Sequence, residues 1–194
     1  MPSSASWFSP SDCLWASPVP IDGKAIVNNS YPPELKSFFL RRLGLSEASL
    51  STLVEGLHTL CQRNPTISRV NEIIWAINAM KPKQGDLDKL LACDFLPVRV
   101  PQPGDGYEVS FQNCQADFVI IDRAKLADIF HGHVAFLSFN LEEVLQLQPF
   151  LDSLGLSNKY ISLICQEETS CSEDGLIDRS LTAEFQERAY DLLR

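Results

Sequence analysis

The run from Asp117 to Asp122 constrains the fold of this chain more than any other segment. Four apolar residues in succession, three of them β-branched, lie between two aspartates. Such a run is typical of a strand that is buried on both faces. A helical pattern, a second apolar run over 134–139 and another helical pattern follow. This β-α-β-α order predicts an α/β core in which the second strand can run parallel to the first.

A layer of three to four helices is predicted ahead of this core. Apolar residues recur there at intervals of three and four, and Pro, Gly and Ser/Thr residues stand where helices start and stop. The expected helices cover 32–43, 46–61, 67–80 and 86–92. A proline-rich lead-in comes before them, in which Trp7, Phe8, Leu14 and Trp15 are too apolar for a free tail. We expect residues 13–21 to dock on the helical layer with Trp15 as the anchor.

The remaining elements are predicted from alternation, caps and breakers. We expect an edge strand over 95–100, because Pro97 cannot donate to a ladder, and a half-buried strand over 107–111. Asn140 should cap a helix that extends to about Leu147. Residues 123–130 and 181–194 read as helices, whereas 159–166 fit a helix or a strand equally well.

The predicted fold class is therefore α/β or α+β, with an N-terminal helical layer followed by a mixed four- to five-stranded sheet with covering helices. In domain terms, residues 1–30 form an extended lead-in and 31–93 the helical layer. Residues 94–194 form the α/β core, which we expect to pack with 31–93 as one domain.

Charge and cysteine usage exclude several classes of function. The net charge is −9, and the 16 Lys and Arg residues form no basic run, which argues against direct nucleic-acid binding. The six cysteines include no C-x-x-C pair and the start has no signal-peptide pattern, so we expect reduced thiols in the cytoplasm or nucleus. No apolar run is long enough to span a bilayer, and we expect no membrane partner.

Asp122 is the first candidate for chemistry, because open α/β sheets bind ligands at the carboxyl ends of their strands. His131 and His133 are the second, since they are the only pair of nearby histidines. With Asp122 or Asp128 they could offer nitrogen and oxygen ligands to a divalent metal. The alternative, which we favour, is a simple turn at Gly132 without a metal. Asp122, His131 and His133 are thus the weak candidates for a catalytic role.

Three other patterns have both a chemical and a structural interpretation. Paired carboxylates could serve acid-base catalysis, but strand-end and helix-cap acids fit the same positions, with Asp122 paired to Arg123 or capping the next helix. Cys61 lies three residues after His58 and could be a nucleophile, although most such cysteines are small core residues. Leu87–Leu91 matches the L-x-x-L-L docking box, but we favour the alternative that these leucines cap the core. The further acidic candidates are Asp117, Asp128, Glu142 and Glu143.

A set of short motifs is spread over most of residues 13–194. The motifs are the segments 13–15, 31–32, 38–39, 43–45, 96–98, 117–123, 141–144, 149–151, 154–156 and 188–190. Together they resemble the C-terminal region of large fungal proteins that carry a sacsin-like or NO VEIN-like ATP-binding domain.

In that family the ATPase is of the gyrase, heat-shock and histidine-kinase type and lies far upstream. Its acidic-Asn box and glycine-rich lid loops do not occur in this sequence, and neither does a G-x-G-x-x-G or P-loop pattern. The resemblance therefore implies a module that does not bind ATP, and we expect no cofactor.

These observations favour a non-catalytic interaction or scaffold module of a large sacsin-like ATPase protein, or one derived from it. Its partner would be another protein or the rest of a longer chain. The alternative is a small enzyme or accessory factor, for example in fungal secondary metabolism, with a pocket near Asp122 and His131. A third interpretation is a regulatory protein that binds helices through Leu87–Leu91.

Overall fold

The structure is a computed structural model that describes residues 7–63, 65–103, 106–130, 132–166, 168 and 178–192. The helices are α1 (Lys36–Arg41), α2 (Leu50–Cys61), α3 (Ile67–Ala79), α4 (Ala124–Phe130), α5 (Leu141–Ser153), α6 (Ile161–Ile164) and α7 (Arg179–Leu192). The strands are β1 (Cys13–Leu14), β2 (Ala25–Ile26), β3 (Leu96–Gln102), β4 (Gly106–Gln112) and β5 (Phe136–Leu137). This mixture of helices and strands confirms the predicted fold class, although the strands of the described residues form one two-stranded and one three-stranded sheet instead of the single four- to five-stranded sheet that we expected. No helix in the described ranges is long and apolar enough to cross a membrane.

The helical layer is built on α2 and α3, as their apolar periodicity predicts. Ser49 caps α2 in a reciprocal capping box with Thr52, so α2 begins four residues later than expected. The reason is that the preceding backbone is already engaged: Ser46 accepts a hydrogen bond from Trp15 N–H at 2.8 Å. The expected fourth helix over 86–92 consists instead of two short 3₁₀ turns.

The three-stranded sheet has the order β4-β3-β5, and both pairings are antiparallel. The prediction that the strand containing Pro97 lies at an edge is wrong, because β3 is central. Pro97 O accepts from Ser138 N–H at 2.7 Å, so the backbone groups of Pro97 face β5 rather than β4. β5 pairs only with Val98 and Arg99. Pro97, which has no N–H to donate, therefore lies opposite the chain beyond the end of β5, and no hydrogen bond of that strand is lost.

The 117–122 run extends this sheet through single bridges rather than as a long strand. Val119 bridges Phe136 of β5 and Ile120 bridges Tyr160, both in parallel. The predicted parallel relation to the second apolar run is therefore confirmed. Phe118 and Ile120 are buried, whereas Val119 is half-buried. The segment is thus buried mainly on one face, whereas we expected a strand that is buried on both faces.

Helix α5 continues past Leu147, where we expected it to end, and includes Pro149. Pro149 has no N–H and cannot donate to the carbonyl of Leu145. Leu145 lies on the exposed side of the helix, where water can bind that carbonyl. Phe150 and Leu151, directly after the proline, are fully buried. Their burial holds the last turn in helical conformation despite the lost hydrogen bond.

The main hydrophobic core joins α2 and α3 to β3, the Ile120 segment and α5. A smaller cluster is formed by Trp15, Phe39 and Leu45. The Trp15 and Phe39 rings lie 5.4 Å apart, in agreement with the expected docking of the lead-in. Trp7 is 99% exposed, so the apolar character of the first lead-in residues does not lead to burial.

Ile21 carries the lead-in across α2 at Gly56. A Cβ placed on Gly56 would lie 2.8 Å from Cγ2 of Ile21, closer than two carbon atoms can approach without a shift. Ile21 is only 6% exposed and belongs to the main core. Glycine at this position in the middle of a helix therefore has a packing role.

Candidate functional site

Asp122 lies beside α6 because of the bridge between Ile120 and Tyr160. Its Oδ1 accepts a hydrogen bond from Ser162 N–H at 3.1 Å, and its Oδ2 accepts a short one from the Ser162 hydroxyl. The carboxylate therefore binds the start of α6. The two structural roles expected for it, pairing with Arg123 and capping the next helix, are not the ones the structure has.

A surface cavity of about 270 Å³ opens next to this pair. It lies between the outer side of α5 and the residues around α6. Its lining combines three polar groups around Asp122 with aliphatic side chains. The lining residues are Asp122, Val144, Leu145, Gln148, Tyr160, Ser162 and Leu163.

Tyr160 gives this cavity an unusual polar group. Its side chain is buried, with 9% of the residue exposed, and its hydroxyl has no hydrogen-bond partner. Burial, followed by the charges of Asp152 and Asp122, raises the pKa of Tyr160 to about 12. The phenol is therefore neutral at physiological pH and can accept one hydrogen bond and donate another.

Sequence reasoning identified Asp122 but missed Tyr160 and Ser162. Both lie in 159–166, which fits a helix or a strand equally well. Their proximity to Asp122 follows from a parallel bridge across about forty residues of chain, and no local pattern carries that information.

The structure tests only one of the two predicted histidines, and it does not bring that one to Asp122. His131 lies outside the described residues. His133 is exposed on the turn after α4, where its N–H bonds Phe130 O at 3.1 Å, and it does not line the cavity. Within the described ranges, no group of three or more His, Cys, Asp or Glu side chains could hold a metal ion.

The other acidic candidates have structural positions. Glu143 completes the capping box of α5 with Asn140: each side chain accepts from the other residue's backbone N–H, at 2.8 and 2.9 Å. Asp117, Asp128 and Glu142 are exposed and line no part of the cavity. The interpretation of Glu143 as a helix-cap acid is therefore correct.

Three of the thiols, those of Cys61, Cys93 and Cys114, are not activated for nucleophilic attack. Burial raises the pKa of Cys61 to about 12 and that of Cys114 to about 11, and it also raises the pKa of Cys93. A thiol in this range is almost entirely protonated at neutral pH, whereas the thiolate is the reactive form. These values oppose Cys-His catalysis at Cys61.

The Leu87–Leu91 segment does not offer a docking box. Leu87 and Leu90 have no exposed surface and belong to the main core, so they could contact a partner only after local unfolding. The interpretation of this motif as a core segment is the correct one.

Comparison with known proteins places the cavity inside a recognised domain. A family model described as a domain of unknown function (DUF8348) matches residues 51–165. The matched segment starts in α2, ends just after α6, and includes every residue that lines the cavity. No curated protein and no solved structure shows a significant match. Since the family model covers more than half of the sequence, the chain belongs to the DUF8348 family.

Proposed function

We propose that this chain is a non-catalytic interaction module. It belongs to a large protein with a sacsin-like ATPase domain, or is derived from such a protein. Its partner is a protein, or the rest of a longer chain, that binds over the cavity beside Asp122. The motif resemblance over residues 13–194 supports the connection to the sacsin-like proteins.

The observation that carries this proposal is an apolar surface around the cavity, which we call the α5–α6 patch. It consists of Leu145, Leu163 and Ile164, which are 58%, 71% and 53% exposed. Leu145 and Leu163 also line the cavity, so the patch and the cavity are continuous. Contiguous exposed apolar residues rimmed by polar groups are typical of protein-binding surfaces.

The chemistry of the site supports binding rather than turnover. Ser162 is hydrogen-bonded to Asp122, but no histidine lines the cavity among the described residues. A serine whose neighbouring base is a carboxylate, with no imidazole beside it, is a weak nucleophile at neutral pH.

The enzyme alternative draws on one observation, the grouping of Asp122, Ser162 and Tyr160 at a single cavity. It requires turnover of a substrate, for example an activated ester, that is lost in Asp122→Asn and in Ser162→Ala. The exposed carboxylate variant Asp117→Asn should retain that turnover. Equal rates in all the variants would contradict an enzyme that uses this cavity.

The interaction proposal is tested by site-specific cross-linking. A photoreactive amino acid in place of Leu163, in cells that express the full chain, should cross-link one identified protein. Reconstitution of that complex from purified components then gives its affinity. The double variant Leu145→Ser, Leu163→Ser should weaken it by at least tenfold, because burying one leucine side chain contributes about 1.5–3 kcal/mol and a tenfold change in affinity is about 1.4 kcal/mol.

Leu181→Ser on α7 is the matched control for the patch. Leu181 is 51% exposed, similar to Leu145, but it does not line the cavity. Its substitution should leave the affinity unchanged. A complex that tolerates the double patch variant as well as it tolerates Leu181→Ser would overturn the proposal.

A further inference from the structure

Asp122 carries a negative charge into the cavity without a cation to balance it. A carboxylate has about four lone-pair sites, and Ser162 uses one on each oxygen. No salt bridge to Asp122 is present in the part of the chain that the structure describes. Each oxygen therefore keeps capacity for a donor that enters from the cavity.

The Tyr160 hydroxyl is a second group that needs a partner. It is buried without a hydrogen bond, and buried polar groups in folded proteins are almost always hydrogen-bonded. Tyr160 and Asp122 line the same cavity, so a donor group bound there can satisfy both. The two residues are brought together by the Ile120–Tyr160 bridge and not by sequence proximity.

The walls of the cavity favour a ligand with an apolar stem. Val144, Leu145 and Leu163 line it, and an alkyl chain can lie against them while its charged end reaches Asp122. The volume of about 270 Å³ is just below the range of roughly 300–1,000 Å³ typical of sites for drug-sized molecules. A single long side chain fits this space better than a cofactor.

We infer that this cavity binds the ammonium group of a lysine side chain from the partner protein, with Asp122 and the Tyr160 hydroxyl as its acceptors. The inference rests on the proposed function, because it specifies how that partner is recognised. Lysine is preferred over arginine because the planar guanidinium fork matches the two oxygens of one carboxylate, whereas the two acceptors here belong to different side chains. An ammonium is a compact charge with three donors and needs only one lone pair on each acceptor.

The probe for this inference is lysine with an acetylated α-amino group, a methylamide at the carboxyl end and a free side-chain ammonium. It is added to the ¹⁵N-labelled full chain, and binding is followed by NMR. Saturable shifts are expected at the Ser162 amide, which donates to Asp122, with a dissociation constant in the millimolar range. Asp122→Asn should weaken binding at least tenfold. Tyr160→Phe should weaken it by about threefold to tenfold, which corresponds to one lost hydrogen bond.

Tyr160→Phe and Asp117→Asn separate loss of binding from loss of structure. Asp122→Asn also alters the bonds that hold α6, whereas Tyr160→Phe removes a hydroxyl that has no partner and leaves the Ser162 bonds intact. Asp117→Asn removes the same charge at an exposed position outside the cavity and should bind the probe as the parent chain does. Equal binding by the parent chain, Tyr160→Phe and Asp122→Asn would overturn the inference.

Two further ligands distinguish the source of the charge. N-acetyl-norleucine methylamide has the apolar stem without the ammonium and should cause no saturable shift. Butylammonium tests whether the cavity takes a free amine. If butylammonium binds and the lysine derivative does not, the cavity is a small-amine site and the inference is overturned.

The outcome is distinguishable from failure of the proposed function. If the lysine probe does not bind but the reconstituted complex depends on Leu145 and Leu163, the interaction module stands and the lysine recognition is wrong. If the probe binds but the complex is insensitive to the patch variants, the cavity site stands and the larger interface lies elsewhere.

Discussion

Gly56 offers the sharpest test of how the lead-in is attached to the domain. Replacing glycine by alanine inside a helix normally stabilises a protein by about 1 kcal/mol. At position 56 the new methyl group would lie 2.8 Å from Cγ2 of Ile21. That carbon is attached directly to Cβ, so it cannot swing away as the end of a long side chain would. We therefore expect Gly56→Ala to destabilise the chain.

The magnitude follows from two opposing effects. Overpacking of a core costs about 1–3 kcal/mol, and the helix propensity of alanine offsets about 1 kcal/mol of it. A net loss of up to about 2 kcal/mol is expected, equivalent to a decrease in Tm of up to about 8 °C for a chain of this size.

Ile21→Ala removes the obstruction and reverses the sign of the Gly56→Ala effect. Only Cβ of residue 21 then remains near the new methyl, at 3.9 Å, which is an ordinary contact. In this background Gly56→Ala should stabilise by about 1 kcal/mol, which gives a coupling energy of about 1–3 kcal/mol. Urea unfolding of the four chains measures it.

Gly85→Ala is the matched control, since no atom lies within 4 Å of a Cβ placed there. It should be neutral or stabilising by up to about 1 kcal/mol in both backgrounds. If Gly56→Ala has the same effect with and without the Ile21 side chain, the proposed packing of the lead-in on α2 is refuted.

Three further predictions follow from burial, thiol chemistry and the absent phosphate motifs. Trp15→Ala should lower the free energy of unfolding, measured in urea, by about 3–5 kcal/mol, because Trp15 is 4% exposed and packs on Phe39. Trp7 is 99% exposed, and Trp7→Ala should change the free energy by no more than about 0.5 kcal/mol. Similar losses in the two variants would contradict the docking of the lead-in. Thiols in the unfolded chain have a pKa near 8.5, whereas folding raises the pKa of Cys61 to about 12 and that of Cys114 to about 11. The unfolded chain therefore loses these protons at lower pH than the folded chain does. The free energy of unfolding should fall as the pH rises from about 8.5 to 11. A flat stability profile over this window, measured by urea unfolding, would contradict that burial. Isothermal titration with ATP and magnesium should show no saturable heat, and a micromolar dissociation constant would disprove this expectation.

The helical layer was predictable because its signals are local. The apolar stripes of α2 and α3 recur at helical intervals, and burial follows them closely. The start of α2 was misplaced because the backbone at Ser46 pairs with Trp15, a contact between distant segments. Local propensity cannot include such a competitor for backbone hydrogen bonds.

The sheet and the candidate site were less predictable for the same reason. Pro97 suggests an edge strand, but the rule fails where the neighbouring strand is short enough to end before the proline. Asp122 was identified from its position after an apolar run, which is a local signal. Tyr160 joins the site only through the pairing of Ile120 across a long stretch of chain, and its unpaired hydroxyl is visible only in three dimensions.

The single bridges at Val119 and Ile120 have a consequence for amide hydrogen exchange. Val119 N–H bonds Ala135 O at 2.9 Å on one side, and Ile120 N–H bonds Lys159 O at 2.8 Å on the other. No longer ladder protects these bonds, in contrast to the seven-residue pairing of β3 with β4. Opening of this junction would release both neighbours together, so the amides of Ile120 and Ile161 should exchange as one cooperative unit. Because Tyr160 lies within that unit, occupation of the cavity should slow the exchange of both amides, although neither Ile120 nor Ile161 lines the cavity.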